Sequence, residues 1–111
     1  MLVIDIDSIR AGPKYSTAWV AHLNKVTDRF GADYILVRHE VDCTEATVSR
    51  TNFTAYTVEG VTIGSVDRAT PHERVRPDSV SDSLFQAVCK QDYGDLGTSE
   101  IMVLLNGYRA R

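Results

Sequence analysis

A chain of 111 residues with 43% hydrophobic and 24% charged side chains has the size and balance of one ordinary globular domain, 1–111. Leu, Ile, Val and Phe supply about a quarter of it, enough to exclude disorder over most of its length, and a net charge of −3 argues against a general nucleic-acid binder, whose affinity comes from neutralising phosphates. The longest apolar run, Ile101 to Leu105, is far below the roughly 20 residues of a membrane-spanning helix, so neither a spanning segment nor a membrane partner is expected.

The chain opens with Leu2, Ile4 and Ile6 alternating against Val3, Asp5 and Asp7, the period-two pattern of a half-buried strand. Gly12-Pro13 punctuates, and the spacing of Trp19, Leu23, Val26 and Phe30 predicts a helix over about Pro13–Phe30, stopped by Gly31. Tyr34 to Val41 reads as a second strand, parallel to the first in a βαβ unit. Phe53–Val58 and Val61–Ile63 flank Glu59-Gly60 as an antiparallel hairpin. Asp67 to Pro77 reads as a long surface loop, and Asp78 or Ser79 caps a helix whose apolar stripe is Val80, Leu84, Ala87 and Val88. Ile101 to Leu105, apolar at every position, reads as a strand covered on both faces or one whose second face meets a partner subunit, and the tail at about 107–111 as frayed. The resulting fold class is α+β: a single-domain, two-layer sandwich in the ferredoxin-like βαββ(β)αβ order, with a mixed sheet and two helices on one face.

Cys43 and Cys89 are far apart in a chain with no evident export signal, so reduced thiols in the cytoplasm are expected, with a Cys43–Cys89 bridge as the less favoured reading.

Three constellations bear on chemistry. Asp5 and Asp7 share a strand face, as do Glu40 and Asp42, and converging carboxylates can hold Mg²⁺ or Mn²⁺ for phosphoryl transfer, although alternating acids also suit a wet sheet face. Arg10, Lys14, Ser16 and Thr17 surround the expected start of the first helix and can attract an anion there, but the P-loop spacing is absent. Arg68, His72, Arg74 and Arg76 collect in the 67–77 loop against Asp67 and Glu73 and are the candidate partner-binding residues. His39 and Cys43 share a strand face, a partial soft-metal set that fits core packing better.

No complete catalytic set is visible and no cofactor is called for. The expectation is a small non-enzymatic interaction protein, a regulator, accessory subunit or inhibitor, cellular or virus-encoded. It would bind a protein partner through an exposed sheet face or edge and the Arg-bearing loop, and form a homodimer. The alternatives are a small Mg- or Mn-dependent nuclease or phosphohydrolase centred on Asp5 and Asp7, and a nucleotide or phosphate-ligand binder at the start of the first helix.

Overall fold

The structure, a computed structural model, describes residues 1–94, 97–98 and 100–110. Its elements are β1 (Leu2–Arg10), β2 (Ser16–Leu23), β3 (Tyr34–Asp42), β4 (Thr47–Tyr56), β5 (Thr62–Asp67), β6 (Glu73–Arg74), α1 (Val80–Lys90), β7 (Gly97–Thr98) and α2 (Ile101–Arg109). Among the described residues the strands form one mixed sheet in the order β5-β4-β3-β2-β1-β7, with β6 also pairing β4. β1 through β5 are an antiparallel meander, and only β7 runs parallel to its neighbour, β1.

This is not the ferredoxin-like sandwich, and the first departure is at β2. The segment expected to be a helix over Pro13–Phe30 is a central strand, which also makes β1 and β3 non-neighbours rather than a parallel pair. Residues four apart share a face in a strand as well as in a helix, so Trp19 and Leu23 fit either element. The residues that would have decided for a helix, Val26 and Phe30, lie exposed beyond the end of β2. Gly12-Pro13 belongs to the β1–β2 hairpin, where a Cβ on Gly12 would sit 2.3 Å from the Tyr15 carbonyl oxygen, an approach that only glycine permits.

The second departure is at the end of the chain. Ile101 to Leu105 is the first part of α2, not a strand, and its apolar residues turn inward with helical spacing: Leu105 is fully buried, Ile101, Leu104 and Tyr108 pack beside it, and Val103 faces solvent. Self-association through an apolar last strand therefore has no strand to use.

The third departure is in the layers. α1 and α2 cover opposite faces of the sheet. On the front face Leu84 and Ala87 of α1 pack with Ile4, Ala18, Val20 and Val41. On the back face Leu105 of α2 packs with Val3, Ala21, Leu23 and Tyr34. Adjacent residues Val3 and Ile4 are both buried, as are Val20 and Ala21, which a sheet covered on one face alone would not allow.

Cys43, just after β3, and Cys89, in the last turn of α1, form a disulfide across a sequence separation of 46 residues. The expectation of reduced thiols is thus overturned, and the bridge fastens α1 to the front face. The helix begins where expected, with Ser79 as N-cap: its Oγ accepts the Asp82 backbone N–H at 3.2 Å.

Candidate binding surface

Strand register aligns Ile4, Val20, Val37, Phe53 and Val66 as consecutive cross-strand partners from β1 to β5, all on the front face. Exposure along this row climbs from 1% at Ile4 to 55% at Val66. α1 covers the β1–β3 side and, on β4, the Val48 end. The neighbouring row, Leu2, His22, Ile35, Ala55 and Gly64, is partly open along its whole length, with His22 and Gly64 exposed. The front face therefore continues the core's apolar surface into an open half ending at the free edge of β5.

Between this face, the start of α1 and the 70–76 segment lies a cavity of about 520 Å³. Leu2, Val48, Pro71 and Val80 supply its accessible apolar surface, over the buried Ile4, Val20 and Leu84; His22, His39, Arg50, Arg74 and Arg76 supply polar groups. The 70–76 segment is held along β4 by backbone bonds from Thr70 N–H to Arg50 O (2.8 Å) and from Val75 N–H to Ala46 O (2.9 Å), and by β6 pairing Thr47 and Val48. Thr70 Oγ1 accepts the Arg50 N–H at 2.9 Å.

Burial holds the His39 imidazole down at a pKa of about 4, the charges of Arg50 and His22 add to this, and the Val37 carbonyl, 3.2 Å from Nδ1, opposes it. His22 is also lowered, first by burial and then by Arg50. Both rings are neutral at pH 7, so the cavity's positive charge belongs to its arginines.

The chain matches the family model described as surface-adhesin protein E over residues 1–90, from β1 to the last residue of α1. It belongs to the surface-adhesin protein E family. It matches none of the curated proteins and none of the solved structures. Membership corrects two expectations: the family points to a surface-exposed or secreted protein that binds partners, not to a cytoplasmic one, and not to a regulator or inhibitor. The Cys43–Cys89 disulfide agrees, since such bonds persist outside the reducing cytosol.

In this adhesin-family chain the sequence-selected residues are dispersed. Asp5 lies in β1 and accepts the Asp7 N–H at 3.1 Å where the pairing of β1 with β2 becomes irregular. Glu40 contacts His72 at 3.1 Å, and Asp42 accepts the Thr44 and Glu45 N–H groups in the β3–β4 turn. β2 separates the two acidic pairs, by roughly 10 Å between β1 and β3. Among the described residues no group of three His, Cys, Asp or Glu side chains is placed to hold a metal ion, and Cys43 is committed to its disulfide. Arg10, Lys14, Ser16 and Thr17 flank a hairpin instead of a helix start: Arg10 donates to the Asp7 and Ile9 carbonyls, and Lys14 lies over the Tyr15 ring. The basis for an anion site at a helix terminus is absent there.

Of the loop set, Arg74 and Arg76 line the cavity, while His72 stacks on Tyr15 and joins Glu40 and Thr47. Arg68 is exposed and outside the cavity lining. Sequence reasoning missed His22 and Arg50. The available signal was alternation: Arg50 stands two residues after Val48, which packs against the α1 core, so a charged side chain occupies the core-facing side of β4.

Proposed function

We propose that this family member is a non-enzymatic surface protein that holds a protein partner against the open half of its front face, with the Arg-bearing 67–77 segment as the rim. The burial gradient from Ile4 to Val66 carries this reading. An apolar row continuous with the core but left uncovered at one end gains about 25 cal/mol for each Å² a partner removes from water. Phe53 supplies an aromatic anchor in that row, the side-chain type enriched at interface hot spots. The β5 edge beside it offers unpaired backbone groups to an added strand.

The test is adhesion of beads coated with the full chain to an immobilised mixture of extracellular proteins, with a protease-treated layer as control. Phe53→Asp and Val66→Asp together should abolish adhesion while circular dichroism stays unchanged. Undiminished adhesion by that folded variant would sink the reading.

A further inference from the structure

The cavity rim carries positive charge that the fold leaves unneutralised. Arg50 reaches it from β4, Arg74 from β6 and Arg76 from the turn before α1. Among the described residues none of these guanidinium groups has an ion pair; Arg109–Asp33 and His72–Glu40 pair elsewhere, and neither lines the cavity. Among the described residues Glu73 is the only acidic side chain in the lining. Guanidinium forks placed this way suit carboxylates, which they bind bidentately.

The other groups narrow the class. His39 is neutral at pH 7, and with Nδ1 turned to the Val37 carbonyl it keeps Nε2 as a hydrogen-bond acceptor. Sulfate or chloride brings nothing to donate to it, whereas a peptide brings backbone N–H groups. Leu2, Val48, Pro71 and Val80 offer apolar surface for a side chain, and about 520 Å³ is within the usual range of ligand sites.

We propose that the cavity takes an acidic, apolar segment of the protein partner, its carboxylates held by Arg50, Arg74 and Arg76 and an adjacent apolar side chain seated against Leu2 and Val80. This rests on the partner-binding reading above and specifies the chemistry that the partner presents.

The experiment is fluorescence anisotropy of the full chain with three fluorescein-labelled peptides, alternating Glu-Leu, Gln-Leu and Lys-Leu. The Glu-Leu peptide should bind, lose affinity with added salt, and lose at least about tenfold in Arg74→Gln/Arg76→Gln, with Arg29→Gln, exposed after β2 and outside the lining, unchanged. The proposal is overturned if the Glu-Leu peptide does not bind, if Gln-Leu or Lys-Leu binds as well, or if the double variant binds like the parent. The bead assay separates the two readings. Peptide failure alongside adhesion that depends on Phe53 and Val66 removes the pocket and leaves the surface. Peptide binding alongside adhesion indifferent to those residues keeps the pocket and removes the surface.

Discussion

The guanidinium of Arg109, near the end of α2, meets the buried carboxylate of Asp33 at 2.6 Å across 76 residues of sequence. Asp33 also accepts the Thr27 hydroxyl and, through Oδ2, the Val58 N–H at 2.7 Å, while Arg109 Nε donates to Asn24 O at 3.1 Å. One carboxylate thus ties α2 to the loop after β2 and to the end of the β4–β5 hairpin.

These contacts, the Thr27 hydroxyl foremost, hold the Asp33 carboxyl below the usual aspartate range. A depressed carboxylate contributes stability that is present above its unfolded pKa and is lost as pH falls through the folded one. The melting temperature should therefore fall on acidification below that range. Asp33→Asn should lower it at pH 7 and remove part of the acid-induced fall, and amide exchange should speed up in α2. A variant with unchanged melting and exchange would show that α2 is held by apolar packing alone.

His39 gives a separate pH dependence. Its folded pKa of about 4 lies below the ordinary 6.5, so the unfolded chain binds the proton more readily and acid favours unfolding. Its contribution is complete above about pH 6.5 and declines between there and about pH 4, by up to about 3 kcal/mol. Urea unfolding at pH 7.5 and 4.5 checks this: His39→Gln should flatten the difference, and an undiminished difference would assign it to other groups.

The disulfide predicts a loss of about 2–4 kcal/mol in Cys43→Ser/Cys89→Ser, because the bridge closes a long loop and fastens α1 to the sheet. Denaturant midpoints of the parent and the double variant measure it. Opening of the cavity between α1 and the 70–76 segment should accompany the loss, read as faster amide exchange at Leu84 and Ala87.

β1, β3, the β4–β5 hairpin and α1 were legible because each carries a signal within its own residues: alternation at Leu2 to Asp7, β-formers at Tyr34 to Val41, Glu59-Gly60 at a turn, Ser79 at a cap. β2 and α2 were not, for opposite reasons. At Trp19 and Leu23 the helix and strand periods coincide. At Ile101 to Leu105 there is no period to read in five successive apolar residues, and the helical spacing completes itself only at Tyr108. The loss of a helix between β1 and β3 converts the expected parallel pair into a meander, and α2, from the segment expected as the last strand, covers the face opposite α1. Arg74 and Arg76 were legible as an exposed basic segment. Their meeting with Arg50 and His22 depends on β6 folding back along β4, a long-range pairing that no local pattern records.

The row from Ile4 to Val66 makes the last prediction, because its two ends should respond in opposite ways to the same kind of change. Ile4 is fully buried, so Ile4→Ala removes packed methyl groups and leaves a cavity, costing about 2–5 kcal/mol with little direct effect on any partner. Val66 is more than half exposed, so Val66→Ala should change stability by no more than about 0.5 kcal/mol. If the open half is the binding surface, that same change weakens adhesion, and Phe53→Ala, between the two ends, does both in part. Chemical denaturation and bead adhesion on the three variants give two measured profiles along one row. Stability loss should fall from β1 to β5 while binding loss rises. Parallel profiles would mean that the exposed end only extends the core and meets no partner.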